Sequence, residues 1–414
     1  MLIGIDLGTS NCALAWVDPS EGAKARVHDF PVKQQVRPGE VAQRPLLPSS
    51  IYQPLSAEEP LLVGEAARWL GAKASTRLVA SAKSWLCHPG VDRQAPILPW
   101  GAPAEVPKLS PVDASAKLLE TLAQSWNEQH PEAPLADQEV VITVPASFDE
   151  VARALTVSAA KKAGLQHFTL LEEPQAAFYD FTARHRDALG DALKGVHRVL
   201  VVDVGGGTTD FTLVQVEALP EGPAMKRVAV GDHLMLGGDN MDAALARRVE
   251  EKLGKKLSAQ QWTQLTQSTR VAKEALLGEK PADKQALAVA AAGSKLIGGT
   301  VSAELTRDEV EELVVEGFFP KCRLDEAPRA QSRAALQELG LPYAADAAIT
   351  RHLAAFLSAH GSTRPDAILL NGGVFNSPRL TQALVDAVCA WWPQAPRIPL
   401  LGHDSLDLAV ARGA

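Results

Sequence analysis

Two segments about two hundred residues apart share one pattern of hydrophobic and polar positions. The segments "LIGIDLGTSNCALAWV" (residues 2–17) and "LVVDVGGGTTDFTLVQV" (residues 200–216) each contain an apolar run, an aspartate, a turn of glycine and hydroxyl residues, and a second, alternating apolar run. Alternation with a period of two is typical of a strand, and it slips by one place in the second copy. The pattern predicts a strand–turn–strand hairpin that begins each half of a duplicated chain.

The turns of these hairpins have the composition of a phosphate-binding loop. Glycine permits positive φ and lets successive backbone N–H groups point into one concavity, and serine and threonine hydroxyls add further donors. The aspartates before the turns, Asp6 and Asp203, suit a magnesium ion that keeps its waters and also binds phosphate. The turn residues are Gly8, Thr9, Ser10 and Asn11 in the first hairpin, and Gly205, Gly206, Gly207 and Thr208 in the second. Two such turns facing each other would clamp a polyphosphate.

Two further glycine pairs precede predicted helices. Gly237–Gly238 come before "DNMDAALARRVEEKL", and Gly372–Gly373 follow the apolar run "ILLN". A glycine pair at such a position lets a ligand approach the backbone closely. Both pairs are therefore candidate parts of a nucleotide cleft.

Helical periodicity is present elsewhere along the chain. Apolar residues spaced by three and four, together with acidic first turns, predict helices over 150–163 and 306–317. Short strands are predicted at "ALAVAAA" and "TVSAELT", after the helices of the 231–302 region. We interpret Lys321–Asp346 as a helix plus a loop.

Composition and charge narrow the class of protein. The 414 residues are 46% hydrophobic and 22% charged, and single cores stop growing near roughly 250–300 residues, so two or more domains are expected. The net charge of −8 argues against nucleic-acid or anionic-membrane surfaces. The N-terminal run is neither a signal peptide nor a membrane span, and the four cysteines lack metal-ligand spacing. We expect a cytoplasmic protein with no nucleic-acid or membrane partner.

These segments resemble, in order along essentially the whole chain, the nucleotide-binding domain of the seventy-kilodalton heat-shock chaperones (DnaK-type), within the actin/hexokinase ATPase superfamily. The hairpins resemble the two phosphate motifs, "LNGGVFNSPRL" the adenosine motif, and "SLDLAVARGA" the last helix of that domain. The segments "VVITVPASF" and "LLEEPQAAFYDF" resemble its first connecting segment. These two segments select the chaperone branch over sugar kinases, phosphatases and filament-forming relatives.

The resemblance implies an α/β fold of duplicated actin-like (ribonuclease H-like) ATPase lobes, each a mixed five-stranded sheet with helices and an inserted subdomain. Lobe I would comprise residues 1–35 and 112–194, with its insertion at 36–111. Lobe II would comprise residues 195–230 and 303–414, with its insertion at 231–302. No segment resembles the family's substrate-binding β-sandwich. We expect a piece of a longer protein, or alternatively a module that works with a separate partner.

The resemblance also implies that the chain binds ATP or ADP with Mg²⁺. Asp6 and Asp203 would hold the magnesium through water, Thr208 would lie at the γ-phosphate, and Glu173 would orient water or metal. The expected catalytic residues are Asp6, Arg68, Glu173, Asp203 and Thr208. The expected nucleotide contacts are Gly8, Thr9, Ser10, Asn11, Gly205, Gly206, Gly207, Thr208, Gly237, Gly238, Lys273, Glu274, Gly372, Gly373, Asn376 and Asp407. Pro145 and Arg153 fall on positions that relay the nucleotide state to the substrate domain in relatives.

The catalytic cation is the first departure from the family pattern. Relatives have a lysine after a Gly-x-x-Ala segment, where "VGEAARWL" places Arg68. Arginine keeps the positive charge on a planar, longer head, which changes how an attacking water is aligned. Arg68 is alternatively a solvated helix residue. Lys83, in "SAKSWL", resembles a different lysine of the family.

The base pocket departs further. Lys273 is retained, but Arg270, Glu274 and Leu277 replace a glutamate, an arginine and a serine. In the adenosine motif, Val374 and Asn376 replace a serine and a second arginine. Both arginines that would sandwich adenine are therefore missing, which removes two stacking planes.

The resulting expectation is a slowly ATP-hydrolysing chaperone nucleotide-binding domain, monomeric and open to a cochaperone or nucleotide exchange factor. One alternative is a nucleotide-responsive binding module with little or no turnover. A small-molecule kinase of the same superfamily is a third possibility, but no segment supplies its aspartate base and sugar pocket.

Overall fold

The structure, a computed structural model, describes residues 1–56, 58–219, 222–290, 300–329, 341, 343–402 and 404–414. Two sequence predictions lie partly outside these residues, the strand "ALAVAAA" and the helix plus loop of Lys321–Asp346. None of the described helices is long and apolar enough to cross a membrane. All four cysteines are free thiols.

The strands belong to two large sheets and three small ones. In chain order they are β1 (Leu2–Leu7), β2 (Asn11–Val17), β3 (His28–Asp29), β4 (Val32–Arg37), β5 (Glu40–Arg44), β6 (Leu47–Pro48), β7 (Ser50–Tyr52), β8 (Leu62–Val63), β9 (Leu78–Ala80), β10 (Glu139–Val144), β11 (Phe168–Glu172), β12 (Arg198–Val204), β13 (Thr209–Leu219), β14 (Gly222–Val230), β15 (Lys284–Ala290), β16 (Thr300–Thr306), β17 (Ala367–Asn371) and β18 (Leu400–Leu401).

The helices pack on both faces of the large sheets. In chain order they are α1 (Glu65–Gly71), α2 (Ala82–Trp85), α3 (Pro111–Gln129), α4 (Glu150–Lys162), α5 (Glu173–Arg184), α6 (Leu189–Ala192), α7 (Gly238–Leu253), α8 (Ala259–Leu276), α9 (Arg307–Val310), α10 (Glu316–Phe318), α11 (Ile349–Ala359), α12 (Pro378–Ala390) and α13 (Ala409–Gly413). A π-helical turn at Glu311–Val315 joins α9 to α10. Both helices predicted from periodicity are present, as α4 and as the α9–α10 segment.

The two large sheets repeat one topology. The lobe I sheet has the order β11-β10-β1-β2-β3, and the lobe II sheet has the order β18-β17-β12-β13-β14. In each sheet an antiparallel hairpin, β1–β2 or β12–β13, is flanked by a parallel strand, β10 or β17. The duplicated α/β fold predicted from the sequence is therefore confirmed. Both hairpins lie where the predicted strand–turn–strand pattern placed them.

The lobe I sheet differs from the predicted five strands, and the slip in alternation has a local structural cause. The lobe I sheet has a sixth strand, because the two-residue β6 pairs with the start of β2 as the chain leaves the β4–β5 hairpin. The slip in alternation coincides with a register shift between Leu213 and Val214 in the β13–β14 ladder. A bulge of this kind adds one residue and reverses the faces of the residues that follow.

The interior strands are buried on both faces. Residues Val199 to Val202 of β12 are at most 1% exposed. One face of the lobe II sheet packs on a core that includes residues of α7, α8, α11 and α12. The opposite face packs against α5 and α13. This double cover explains why the first strand of each hairpin reads as a continuous apolar run rather than as an alternation.

The short helix α13 lies between the two lobes. It packs against α5, β1 and β2, while its Val410 belongs to the same core as residues of β12 and β17. A methyl group on Gly4 of β1 would overlap with the carbonyl oxygen of Ala411. Arg412 donates two hydrogen bonds to the carboxylate of Asp29, at 2.6 and 2.7 Å. Glycine in β1 is thus what lets the helix seat against the sheet.

Gly4→Ala is therefore expected to destabilise the protein by about 1–3 kcal/mol, because the colliding atom is backbone and cannot rotate away. Chemical denaturation measures the free energy of unfolding. Gly190→Ala in α6 is the matched control, since a methyl group there has no neighbour within 4 Å, and it should change stability by less than about 1 kcal/mol. Equal stability of Gly4→Ala and the wild type would contradict the close seating of α13.

Candidate functional site

A cavity of about 560 Å³ opens between the lobes where the turns of the two hairpins meet. Most of the residues predicted to bind nucleotide or metal line it: Asp6, Gly8, Thr9, Ser10, Asn11, Arg68, Glu173, Asp203, Gly205, Gly206, Thr208, Gly238, Lys273, Glu274, Gly372, Gly373, Asn376 and Asp407. Gly207 and Gly237 lie just behind this lining and pack against its turns. Pro145 and Arg153 lie outside it.

The two glycine turns pack directly against each other. A methyl group on Gly206 would overlap with the hydroxyl of Ser10, and one on Gly207 would lie 2.8 Å from Cγ2 of Thr9. Neither position has room for a larger residue. The run of three glycines is thus explained by the close approach of lobe I as well as by the turn itself.

Helix α7 begins against the second turn. The N–H groups of Gly238 and Asp239 donate to the carbonyls of Gly205 and Gly206, at 3.0 and 2.7 Å. The side chain of Asn240 accepts the N–H of Gly237 at 2.8 Å, which fixes the start of the helix. Because a helix N-terminus carries a partial positive charge, this contact makes the turn more favourable for phosphate.

Each hairpin aspartate is held by a side chain from the neighbouring parallel strand. Thr143 on β10 donates to Oδ1 of Asp6 at 3.3 Å. Asn371 on β17 donates to Oδ2 of Asp203 at 2.6 Å. The duplication therefore extends to the environment of the two carboxylates, one from each lobe, that line the same cavity.

Lys83 and Glu173 form a buried ion pair beside these aspartates. Burial lowers the pKa of Lys83, but the charges of Glu173 and Asp6 outweigh it and raise the pKa above its usual value. Burial, together with the charge of Glu173, raises the pKa of Asp6 to about 7 although Lys83 opposes the shift. Burial and Glu173 likewise raise the pKa of Asp203 to about 8. The site holds more acidic than basic groups.

This donor set fits a magnesium ion bound through water and phosphate. Three carboxyl groups face one ammonium group, so a cation would relieve the excess of negative charge. The Oδ1 atom of Asn371 is buried with no hydrogen-bond partner in the described structure. Within the same described ranges, no group of three or more His, Cys, Asp or Glu side chains has the arrangement of a direct metal site. Magnesium keeps several of its waters in sites built from one or two carboxylates and phosphate.

Lys83 is a site residue that the sequence analysis did not assign. It lies in α2, all four residues of which are buried. A lysine inside the apolar run "LVASAKSWL" is the signal that could have identified it, since a fully buried lysine is rare unless it is paired.

Arg68 lies elsewhere along the cavity wall. Its Nη2 donates to the carbonyl of Ser10 and to Oδ1 of Asn11, both at 3.2 Å. Burial, with the nearby charge of Arg270, lowers the pKa of Arg68 to about 10. The guanidinium therefore braces the first turn, and its predicted catalytic role remains a prediction.

Side chains from α8 and from the loop after β17 line the cavity away from the carboxylates. Lys273 forms an ion pair with Asp242 at 2.6 Å and donates to the carbonyl of Gly238 at 3.1 Å. Asn376 donates to Asp407 at 2.9 Å. The sequence predicted Gly238, Lys273, Asn376 and Asp407 as nucleotide contacts, and it did not single out Asp242.

The predicted relay residues lie outside the cavity lining, and Arg153 shares a partner with a residue of lobe II. Arg153 donates to Oε1 of Glu172 at 2.8 Å and to the carbonyl of Phe148 at 3.2 Å. Arg227 on β14 of lobe II pairs with the same carboxylate. Pro145, at the end of β10, accepts the N–H of Phe148. A relay role for Pro145 and Arg153 remains a prediction.

Two lobes of equal topology with facing glycine turns define an actin-like nucleotide-binding domain. A family model described as Hsp70 protein matches residues 2–324. The chain therefore belongs to the Hsp70 family and corresponds to its nucleotide-binding domain, which confirms the family and fold expected from the sequence.

Curated relatives are chaperones of the same family. The chain is 34% identical to the chaperone protein HscA homolog of Photobacterium profundum over 291 residues, or 67% of this chain and 42% of the relative. It is 32% identical to the homolog from Pseudomonas fluorescens over 336 residues, which cover 76% of this chain and 46% of that one. HscA of Salmonella paratyphi B is 33% identical over 260 residues, with coverage of 61% and 38%. The matches span less than half the length of these relatives.

The raised pKa of Asp203 predicts that the free energy of unfolding of the ligand-free protein depends on pH. Because this pKa is higher in the folded chain than in the unfolded one, unfolding releases a proton between about pH 4 and pH 8. The carboxyl group therefore destabilises the fold increasingly as the pH rises through that window. Asp203→Asn should gain stability relative to the wild type by about 1 kcal/mol or more between pH 5 and pH 8 without magnesium.

Urea denaturation at the two pH values measures this gain. The exposed Asp137 provides a surface control, and the change in stability difference between the two pH values should be larger for Asp203→Asn than for Asp137→Asn. A constant difference for Asp203→Asn would show that the carboxyl group titrates normally.

Proposed function

We propose that this chain binds Mg-ATP between its lobes and hydrolyses it slowly, as the nucleotide-driven part of a chaperone. One observation carries the proposal. Asp6, Asp203, Glu173 and Lys83 come together in a buried cluster between two glycine turns that face each other.

In this proposal, different residues of the chain have different roles in phosphoryl transfer to water. The two turns bind the phosphates and fix their orientation, and the positive end of the α7 dipole favours the phosphate charge. Asp6 and Asp203 would hold the metal through its waters, and Thr208 would lie at the terminal phosphate. Magnesium, when bound, neutralises phosphate charge in such reactions. Glu173 orients the attacking water and accepts its hydrogen bond.

Lys83, rather than Arg68, supplies the positive charge at the terminal phosphate in this proposal. Its ammonium group pairs with Glu173, and the charges of Asp6 and Asp203 act on it as well. The Arg68 guanidinium is engaged by Ser10 and Asn11. A compact ammonium group at the reacting centre stabilises charge on the transferred phosphate. It therefore favours ATP turnover over the alternative, a nucleotide-responsive binding module with little or no turnover.

Several finer assignments belong to the same proposal. The ligands are ATP and ADP with Mg²⁺, and the relay runs through Pro145 and Arg153 toward a client-binding part. A cochaperone or nucleotide exchange factor acts on a monomeric domain in the cytoplasm. Support comes from the curated relatives, which are named chaperone proteins. Membership of the Hsp70 family argues against the small-molecule kinase.

Lys83→Ala should lower the single-turnover rate of phosphate release by about 100-fold or more, because it removes charge stabilisation at the reacting phosphate. Arg68→Ala is the comparison, and it should change that rate by less than about fivefold. Quenched-flow measurement with radiolabelled ATP, with ADP affinity by calorimetry, separates chemistry from binding. ADP affinity should stay within about tenfold of the wild type for both variants.

A large rate loss in Arg68→Ala with little loss in Lys83→Ala would return the catalytic role to the arginine. No phosphate release from the wild type, despite tight ATP binding, would instead support the nucleotide-responsive module.

A further inference from the structure

We propose that the site does not discriminate strongly between purines, and that it binds ATP and GTP with affinities within about tenfold of each other. This inference rests on the proposed function, since it takes the nucleoside to lie beside α8 and the loop after β17. It concerns the selectivity for the base, which the phosphate contacts do not determine.

The phosphate end of the cavity provides the unsatisfied binding capacity. One buried polar atom of the cavity lining there lacks a hydrogen-bond partner in the described structure, Oδ1 of Asn371. A ligand that satisfies this atom gains at its phosphate and metal end, whichever base it carries.

The opposite end offers polar side chains that are already paired with protein groups. The pairs are Arg270 with Glu274 at 3.2 Å, Lys273 with Asp242 at 2.6 Å, Asn376 with Asp407 at 2.9 Å, and the Ser377 hydroxyl with the carbonyl of Leu277 at 2.6 Å. Among the described residues of this end, the buried side-chain atom without a hydrogen-bond partner is Oδ1 of Asp242, and it lies 2.6 Å from the ammonium group of Lys273 in their ion pair. The buried polar side chains of this end are therefore already held by protein groups, and the wrong purine would leave none of them unpaired.

The walls of this end are apolar. The residues concerned are Leu277, Val374, Leu380, Leu406 and Val410, and Leu277 and Leu380 are each 2% exposed. Aliphatic side chains contact the face of a purine ring through dispersion and burial. Adenine and guanine present nearly the same face, so these contacts do not separate them.

The remaining polar contacts lie in reach of water. Asn376 is exposed and Asp407 is half-buried, so water competes for any hydrogen bond that they make to a base edge. A site whose buried groups hydrogen-bond a substrate group rejects an analogue that lacks this group by roughly 10,000-fold. Exposed hydrogen-bonding groups discriminate far less between two substrates. A tenfold limit, about 1.4 kcal/mol, follows for this pocket.

Calorimetric titration of the whole chain with ATP and with GTP, each in excess magnesium, tests the inference. The ratio of the two dissociation constants should lie within tenfold. In Asn376→Ala both affinities should change by the same factor, within about threefold, because the amide contributes no base-specific contact. A ratio above tenfold in either direction, or one that Asn376→Ala alters by more than threefold, would overturn the inference.

The same titrations separate this inference from the function it rests on. If neither ATP nor GTP binds, the proposed function is wrong and the inference is wrong with it. If one of them binds and the other is more than tenfold weaker, nucleotide binding is established and only the inference fails. Inorganic tripolyphosphate with magnesium should bind measurably and compete with both nucleotides, because the phosphate end supplies most of the affinity. Failure of tripolyphosphate to compete would count against that division of the cavity.

Discussion

The rest of the site depends on the contact between the two glycine turns. Because Gly206 and Gly207 have no side chains, the second turn packs against Ser10 and Thr9 of the first. This contact brings the ends of β1 and β12 together, and with them the carboxylates of Asp6 and Asp203. A side chain at either glycine would hold the lobes apart and leave each aspartate with half of its site.

This arrangement brings several charged side chains close together, which lowers the stability of the ligand-free domain. Two half-buried aspartates lie beside a buried glutamate and a single buried lysine, and desolvation shifts the aspartate pKa values toward neutrality. Such strain is tolerated at functional sites because ligand binding relieves it. The ligand-free domain is thus expected to be less stable than its packing alone would allow, and a bound metal and polyphosphate restore what the cluster costs.

The sequence predicts what is local and repeated, and it fails where partners are distant. Both hairpins, α4 and the glycine pairs are encoded in short patterns, and the structure has them at the predicted positions. Lys83 was not assigned because its partner Glu173 is 90 residues away, and nothing near Lys83 in the chain indicates the pairing. Arg68 occupies the motif position where relatives have a lysine, yet its hydrogen bonds go to the backbone and side chain of the first turn. The extra strand β6 has only two residues, too few to show any periodicity.

The seating of α13 has a consequence for how the protein is made. Ala13 and Ala15 on β2 are covered by Ala411, and the Arg412–Asp29 ion pair joins residues 383 positions apart. During synthesis the first hairpin emerges several hundred residues before the helix that covers it. At about 5–20 residues per second, this face of the lobe I sheet stays without its native cover for tens of seconds. The first hairpin is thus completed only after several hundred further residues have emerged, and its alanine face is open to non-native contacts in the interval.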